Sequence, residues 1–244
     1  IPSRYQTSST TVDTSIFTSP TAPTTPDTDT VLLLNYANVG IIDHTMKNNL
    51  ETEGNTRISG QQIKFGTGSI YFDSDDYMYI ADSPLFIMGT GDFTFECFLY
   101  FTSAIGGSSS TYRVLISDAT TNNNYLTIRG DTTDTNGVFQ YNFNGSSANM
   151  SLGNGLTSNN WHHLAFSREG TTLRLYLNGT LTETDTSNTN SFNLNGNRGG
   201  VYVGAFNGPQ HYLNGYMDEA RLTKGVARYT GSSLTVPTQA FANR

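Results

Sequence analysis

Cysteine and basic residues are scarce in this sequence. Its 244 residues include one cysteine, Cys97, so no disulfide can form within the chain. Lysine and arginine number 13 against 20 acidic residues, which gives a formal net charge of −7. Because a protein that binds a nucleic-acid backbone needs a basic surface, this balance argues against a nucleic-acid partner. No apolar run approaches the roughly 18 residues of a membrane-spanning helix, so no membrane partner is predicted.

The first 30 residues differ in composition from the rest. They hold fifteen serines and threonines, four of the seven prolines and no glycine. Pro20, Pro23 and Pro26 disfavour helix and remove backbone donors, so residues 1–30 are predicted to be an extended linker or the end of a preceding repeat. The folded domain is predicted to span residues 31–244.

Short strand patterns separated by turn residues fill this second part. In the segment DFTFECFLYF, Phe93, Phe95, Cys97 and Leu99 occupy alternate positions, which predicts a strand with one buried face. No stretch of twelve residues has a helical period. Regular strands without intervening helices predict an all-β fold, an antiparallel two-sheet β-sandwich.

A double hairpin is predicted in WHHLAFSREGTTLRLYLNGTL. Its turns are placed at Glu169–Gly170 and at Asn178–Gly179, because Asn-Gly and similar pairs accept the positive φ angles that tight hairpins require. Its first residue, Trp161, is the only tryptophan of the chain.

The order of these segments resembles the laminin G-like, concanavalin A-like jelly-roll domain from about Leu32 to Tyr229. The strongest matching pieces are Trp161-His162-His163, the hairpin end at residues 176–179, and the segment GYMDEAR at residues 215–221. The resemblance implies a jelly-roll fold but not one activity, because this fold hosts lectins, hydrolases and adhesins.

The ending RLTKGVARYTG…VPT is similar to the close of such domains in bacteriophage virion and tail proteins. In addition, RYQTSSTTV at residues 4–12 matches RYTGSSLTV at residues 228–236 in six of nine positions. This match predicts a chain cut from a modular protein in which the unit repeats. Coincidence between two segments rich in serine and threonine is the alternative.

A catalytic pair of carboxylates is not expected. Retaining glucanases with this fold carry the pattern Glu-x-Asp-x-x-Glu, since their chemistry needs two carboxylates about 5 to 5.5 Å apart. Asp218 and Glu219 are adjacent, so they are predicted to face opposite sides of a strand, and Glu96 has no second carboxylate at the required spacing. The chain is therefore predicted not to be an enzyme.

No cofactor and no metal site are predicted. The resemblance implies that Asp218 pairs locally with backbone or with Arg221; a calcium site shared with Asp43 is the alternative, but two carboxylates are too few for this ion. His162 and His163 are consecutive in a strand and cannot converge on one ion. One is expected to pack beside Trp161 and the other to face solvent.

Surface recognition of a sugar is the remaining prediction. Aromatic faces stack on the C–H surfaces of sugars, while amides and charged groups bind the hydroxyls. Three loop segments combine these residue types, and the candidate glycan-binding residues are Tyr112, Arg113, Asn124, Tyr125, Arg129, Phe206, His211 and Tyr212.

The leading hypothesis is a non-enzymatic adhesion module on a virion surface, in a phage-type tail fibre or capsid decoration. Its partner would be host-surface carbohydrate or another virion protein, within a homo-oligomeric assembly. A purely structural repeat or spacer is the first alternative, favoured by Phe98 and Tyr100, which are predicted to give the β-run an apolar outer face. A glycan-active enzyme with an unrecognised site is the second.

Overall fold

The apolar–polar alternation of the sequence gives strands along most of the chain. A computed structural model describes residues 29–34, 41–105, 111–130, 137–153, 155–195, 199–208 and 210–241. In these residues two large antiparallel sheets form a sandwich, as predicted. The predicted linker lies almost wholly outside the described residues.

The first sheet has eight strands in the order β14-β13-β12-β7-β17-β4-β3, with β1 paired to β17. These strands are β1 (Thr30–Leu34), β3 (Arg57–Ser59), β4 (Ser69–Phe72), β7 (Phe93–Tyr100), β12 (Trp161–Glu169), β13 (Thr172–Leu177), β14 (Thr180–Asp185) and β17 (Gly215–Lys224). β4 pairs with the first half of β17 and β1 with its second half, while β7 pairs along both halves.

The second sheet has seven strands in the order β11-β10-β9-β8-β16-β5-β2. They are β2 (Leu50–Glu53), β5 (Tyr77–Ile80), β8 (Tyr112–Asp118), β9 (Tyr125–Arg129), β10 (Val138–Phe143), β11 (Ser146–Ser151) and β16 (Val201–Val203). A small ladder joins β6 (Ile87–Gly89) to β15 (Phe192–Asn193), next to a 3₁₀ turn at Pro84–Phe86.

The predicted hairpin turns are confirmed. β12 ends at Glu169 and β13 begins at Thr172, with Gly170 at a φ of 57°. Asn178 and Gly179 both have positive φ between β13 and β14, as a tight hairpin needs.

Phenylalanine rings join the two sheets across the core. Phe93 of β7 contacts Phe143 of β10 at a centroid distance of 6.0 Å, and Phe166 of β12 contacts Phe139 at 4.9 Å. All four rings are buried, and burial of each contributes roughly 1.5–3 kcal/mol to folding. Cys97 lies in the same core, and burial raises the pKa of its thiol, which fits the predicted packing role.

The outer face of β7 differs from the prediction. Phe98 is 1% exposed, because Phe65 packs edge-on against its ring at 5.2 Å and His163 packs at 4.8 Å on the neighbouring strand. The expected apolar outer face at Phe98 is therefore covered by the chain itself, and only Tyr100 keeps partial exposure there.

Residues 225–241, here named the strap, run across the same outer face. Tyr229 donates its phenol hydrogen to Glu96 Oε2 at 2.7 Å, and Thr94 on β7 donates to the Val226 carbonyl at 2.9 Å. At the far end, the Phe241 amide donates to Glu219 Oε2 at 2.6 Å. The strap thus covers the outer face of this sheet from β7 to the β13–β14 hairpin.

Within the described residues, no helix has the length and hydrophobicity to cross a membrane.

Candidate functional site

Four aromatic side chains from distant parts of the sequence meet on the outer face of the seven-stranded sheet. Tyr112 and Tyr125 come from β8 and β9, and Phe206 and His211 from the loop between β16 and β17. Ring centroids lie 4.8 Å apart for Tyr112 and His211, 4.8 Å for Tyr125 and Phe206, and 5.6 Å for Tyr112 and Phe206. These four residues, here named the aromatic cluster, were all predicted from the sequence.

The strand register explains why Tyr125 points outward. Leu126 pairs with Ile116 and both belong to the core, so the next pair, Tyr125 and Ser117, faces the opposite side. The Ser117 hydroxyl donates to the carbonyl of Ala205 at 2.7 Å, which holds the start of the β16–β17 loop over the sheet. Phe206, the next residue, is thereby placed on Tyr125.

One buried carboxylate fixes the loop between β8 and β9. Asp118 is 0% exposed, and its two oxygens accept the backbone N–H groups of residues 120 to 124 at distances between 2.6 and 3.2 Å. The Thr121 hydroxyl also donates to it. A loop held by so many donors to one acceptor is preorganised. This role of Asp118 was not predicted from the sequence, although an aspartate at a strand end before a polar loop is a recognisable signal.

Two asparagines join this loop to the β16–β17 loop. The Asn207 amide donates to Asn122 Oδ1 at 2.6 Å, and the Asn207 side chain donates to the Thr120 carbonyl. Asn122 has a φ of 52°, which asparagine tolerates better than most residues. The two loops that carry or flank the aromatic cluster are therefore one hydrogen-bonded unit.

A cleft of about 260 Å³ adjoins the aromatic cluster. Its lining is formed by Ser74, Thr111, Tyr112, Arg113, His211, Tyr212 and Asn214. Arg113 is the charged part of this lining, and its buried Nε has no hydrogen-bond partner among the described residues. Burial lowers the pKa of Arg113, but from so high a value that the guanidinium keeps its charge at neutral pH.

The remaining predicted residues divide into two groups. Arg129 lies beside the aromatic cluster, with its guanidinium 5.9 Å from the Tyr112 ring centre, and Tyr212 lines the cleft. Asn124 is 4% exposed, and its side-chain oxygen accepts the amides of Asn144 and Asn193. Seven of the eight predicted residues thus gather around one surface, while Asn124 supports the structure beneath it.

A second set of tyrosines on this sheet was not predicted from the sequence. Tyr77, Tyr79 and Tyr202 contact one another on the outer face, with centroids 5.0 Å apart for Tyr77 and Tyr202 and 5.7 Å for Tyr79 and Tyr202. Tyr79, Tyr202, Ser117 and Tyr125 are successive partners across four strands. Strands are about 4.8 Å apart, so this tyrosine set begins roughly 10 Å from Tyr125.

The eight-stranded sheet also carries aromatic residues on its outer face. Tyr71, Tyr216, Tyr100 and Trp161 are paired in this order across β4, β17, β7 and β12. Their centroids are separated by 4.8, 5.8 and 5.6 Å along the series. This set is named the aromatic row. The hydroxyls of its first two members already have partners within the protein, since Tyr71 donates to Asp73 at 3.4 Å and Tyr216 donates to Gln61 at 3.0 Å.

Under the strap, a buried ionic group surrounds Glu96. Arg221 donates to Glu96 Oε1 at 2.6 and 3.0 Å, and His163 Nε2 lies 3.4 Å from Oε2. Burial alone would raise the pKa of Glu96, but its contacts with His163, Arg221 and Tyr229 outweigh burial and hold this pKa below the ordinary value. Glu96 is 0% exposed, so a substrate cannot reach it. The ionic group instead holds the strap on the sheet.

Asp218 and Glu219 were expected to face opposite sides of their strand, but β17 does not follow regular alternation at these residues. A β-bulge interrupts β17 between Asp218 and Arg221, and Glu219 has a φ of 50°, so simple alternation does not apply there. Both side chains are 0% exposed. Burial raises the pKa of Asp218 to about 7 and that of Glu219 to about 8. Asp218 accepts the backbone amides of Lys64 and Phe65, so its role is structural and its partner is backbone, as expected, but these amides come from a segment distant in the sequence rather than a local one.

The two consecutive histidines do face opposite sides, but neither faces solvent. His162 pairs with the core residue Leu99, is 6% exposed and forms hydrogen bonds with Thr157 and Asn178. His163 pairs with Phe98 and is 1% exposed. The expectation of one exposed histidine is wrong, because the strap and the Lys64–Phe65 segment cover the outer face.

The aspartate considered as a calcium ligand is engaged locally. Asp43 accepts hydrogen bonds from the Thr45 amide and from the Asn48 side chain at 2.9 and 2.7 Å. Across the described part of the chain, no three histidine, cysteine or acidic side chains come together as metal ligands would.

Comparison with known proteins agrees with this architecture. A family model described as the concanavalin A-like lectin/glucanases superfamily matches residues 72–227. No curated protein matches the chain in sequence.

Solved structures show the same fold at low sequence identity. Domain 4 of AbnA, an extracellular arabinanase from Geobacillus stearothermophilus solved with arabinotriose, is 14% identical, with a TM-score of 0.63 and coverage of 88% of this chain and 96% of that one. The binding domain of Paraclostridial Mosquitocidal Protein 1 gives 16% identity and a TM-score of 0.62, with coverage of 80% and 49%. The binding domain of Botulinum Neurotoxin DC, solved with SialylT, is 13% identical with a TM-score of 0.56, and the match covers 80% of this chain and 47% of that one.

The chain spans about half the length of the two toxin binding domains and nearly all of the arabinanase domain. At these identities the likeness concerns the fold alone. The family match covers more than half of the chain and includes the segments on which the sequence resemblance rested. This chain belongs to the concanavalin A-like lectin/glucanase superfamily.

Proposed function

We propose that this domain is a non-catalytic carbohydrate-binding module and that its glycan binds at the aromatic cluster. The observation that carries the proposal is the meeting of Tyr112, Tyr125, Phe206 and His211 beside a cleft that is lined by the charged Arg113. Aromatic rings bind the C–H faces of a sugar ring, while neighbouring donors and acceptors bind its hydroxyls.

The geometry supports binding in a fixed orientation. The Asp118 loop and the Asn122–Asn207 link set the positions of the rings before any ligand arrives, so little conformational entropy is lost on binding. Burial lowers the pKa of His211, so its imidazole is neutral near pH 7 and can both donate and accept hydrogen bonds. Arg113 supplies the positive charge of the cleft and favours a glycan with an acidic or strongly polar substituent.

The buried carboxylates favour binding over catalysis. A retaining or inverting glycosidase needs two carboxyl groups that reach the substrate. Glu96, Asp218 and Glu219 are each 0% exposed and lie on the other sheet, away from the aromatic cluster. The arabinanase domain and the neurotoxin binding domain were each solved with a carbohydrate, which is a property of those proteins. Their structures support the proposal only in that this fold is compatible with sugar binding.

A glycan array with the full chain tests this proposal. We expect binding to a limited set of glycans, lost in Tyr125→Ala and in His211→Ala. Met46→Ala is the matched control, because Met46 is a large exposed side chain outside this surface. Equal binding by Tyr125→Ala and the unaltered chain would contradict the site, and release of reducing ends from any bound polysaccharide would contradict the non-catalytic assignment.

The biological setting belongs to the same proposal. The ending RLTKGVARYTG resembles the close of domains in phage virion and tail proteins, which supports a place on a virion surface with host glycan as ligand. The alternative partner is another virion subunit in a homo-oligomeric assembly. A blank array together with a large subunit interface in the assembled particle would favour that structural role.

A further inference from the structure

The tyrosine set of Tyr77, Tyr79 and Tyr202 is held on the outer face of the seven-stranded sheet by strand register. Tyr79 pairs with Tyr202, and the alternate residues of β5 belong to the core, so Tyr77 and Tyr79 both face outward. Gly200 leaves room for one ring, because a Cβ there would lie 2.8 Å from the Tyr79 ring and 2.9 Å from its hydroxyl. All three tyrosines keep part of their surface exposed. The set is therefore a fixed aromatic surface that solvent reaches.

Tyr212 connects the tyrosine set to the aromatic cluster. It lines the cleft together with Tyr112 and His211 of the cluster, and it is partly exposed. On its other side Tyr212 lies near Tyr77, since burial raises the pKa of Tyr77 and the neighbouring Tyr212 raises it further. Aromatic side chains thus form one series across the outer face, from β9 to β5.

Two glutamates border the tyrosine set at the edge of the sheet. On the last strand, β2, Glu51 pairs with Tyr79 and Glu53 with Tyr77, so both side chains belong to the same outer face as the rings. Both glutamates are exposed. Carboxylates accept hydrogen bonds from sugar hydroxyls and repel acidic substituents. This end of the face therefore suits neutral sugar residues, in contrast with the cleft, where Arg113 supplies a positive charge.

The aromatic series is longer than one sugar ring. From Tyr79 on β5 to Tyr125 on β9, successive partners cross three strand spacings of about 4.8 Å, or roughly 14 Å in total. A pyranose residue within a glycan chain is about as long as one such spacing. Roughly three to four sugar residues would therefore cover the series.

We propose that the tyrosine set is a second subsite, and that the ligand of this domain is an oligosaccharide that crosses the sheet from the aromatic cluster to β5, with neutral residues over Tyr77, Tyr79 and Tyr202. The proposal rests on the glycan site proposed at the aromatic cluster and adds the length and charge pattern of its ligand. The cluster and the cleft bind one end of the chain. The tyrosine set contacts the residues that follow, and Glu51 and Glu53 accept hydrogen bonds from their hydroxyls.

Size series of glycans test this with the full chain. Gluco-, manno- and arabino-oligosaccharides from the disaccharide to about the hexasaccharide supply neutral chains, and oligogalacturonides of the same lengths supply acidic ones. Each series is titrated into the unaltered chain, Tyr202→Ala, Tyr125→Ala and the control Met46→Ala, whose exposed side chain lies outside this surface. The measured quantity is the ratio of the affinities for the longest and shortest members of one series. A partial loss of folded protein in a variant cancels in this ratio.

We expect the hexasaccharide of a bound neutral series to bind at least about tenfold more tightly than its disaccharide. Tyr202→Ala should reduce this ratio to below about threefold and leave the affinity for the disaccharide unchanged, whereas Tyr125→Ala should weaken the binding of every member. Met46→Ala should keep the ratio of the unaltered chain. Oligogalacturonides should gain less than about threefold with length, because Glu51 and Glu53 repel their carboxylates.

The second subsite is overturned if affinity does not rise with length, or if Tyr202→Ala keeps the full ratio, even where Tyr125→Ala weakens binding. An equal gain with length for the oligogalacturonides overturns the placement of neutral residues at this end. If the chain binds none of the series, the second subsite is overturned as well. Full binding by Tyr125→Ala, or a blank glycan array, overturns the glycan site at the aromatic cluster and the second subsite with it.

Discussion

The aromatic cluster and the aromatic row show two ways of presenting rings on one sandwich. The cluster is assembled from loops and strand ends on the seven-stranded sheet, and two of its rings, Tyr112 and His211, line a cleft together with Arg113. The row lies on four adjacent strands of the other sheet, and the hydroxyls of Tyr71 and Tyr216 already have partners within the protein. The cluster therefore offers both stacking and hydrogen bonding, whereas the row offers mainly stacking.

The comparison teaches that aromatic exposure alone does not define a sugar site. A ring contributes about 0.5–1.5 kcal/mol through its own geometry, and specificity for a sugar comes from directed polar groups held in place. We expect the cluster to bind a defined glycan, and the row to contribute weakly.

Replacement of Asp118 should break the cluster most severely. Asp118→Ala would leave five backbone N–H groups without their acceptor, at a cost of about 3 kcal/mol or more. The melting temperature should fall by about 6–12 °C, and glycan binding should be lost. Asn123→Ala is the control, because its backbone donor to Asp118 is retained. Equal behaviour of the two variants in thermal melts and on the array would refute the role given to this carboxylate.

Removal of one ring from each surface compares the two sites directly. Tyr125→Ala should weaken glycan affinity by about tenfold to a hundredfold, because it removes a stacking face and the support of Phe206. Tyr100→Ala in the row should change it by less than about threefold. Titration of both variants with the best array ligand measures the ratio. A larger loss in Tyr100→Ala would move the proposed site to the eight-stranded sheet.

The buried carboxyl groups of the eight-stranded sheet should make the folding stability depend on pH. Glu219 has a folded pKa of about 8 and Asp218 of about 7, both above their ordinary values. The folded state thus holds protons that the unfolded state has released, so stability should fall as pH rises from about 5 to 8, by up to about 1.4 kcal/mol per pH unit for each group. Below about pH 4.5 the lowered pKa of Glu96 acts in the opposite direction.

Glu219→Gln checks this origin. Chemical denaturation of this variant between pH 5 and 8 should give a flatter profile than the unaltered chain. An unchanged slope would exclude Glu219 as its source.

The smallest expected effect is that of pH on glycan affinity. Because burial lowers the pKa of His211, its imidazole is already neutral above about pH 6.5. Affinity measured from pH 6.5 to 8 should change by less than about twofold. A steep change would indicate that a charged imidazole takes part in binding.

The sequence predicted the parts of this fold that depend on local patterns. The alternation in β7 identified its core residues, and the glycine-containing pairs identified both hairpin turns. The polar strand β11, Ser146–Ser151, was missed, because five of its six residues are exposed and show no apolar alternation.

Local sequence patterns could not predict the features that depend on the register between strands. Tyr71, Tyr216, Tyr100 and Trp161 form a row only because four strands pair in one alignment. Phe98 and one of the two consecutive histidines were expected to be accessible, but Phe65 and the strap cover this face and bury both Phe98 and His163. The ring residues of the cluster were proposed because each stands in or beside a polar segment of the sequence, yet their grouping depends on strand register and on the loop connections.

The Asp118 loop has a consequence for how this surface can evolve. Its shape is fixed mainly by main-chain donors that converge on one carboxylate, so the exposed side chain at position 123 contributes little to folding. Mutations can therefore sample new contacts beside the rings while the scaffold stays intact. A surface of this kind can change its ligand across related proteins without passing through unfolded intermediates.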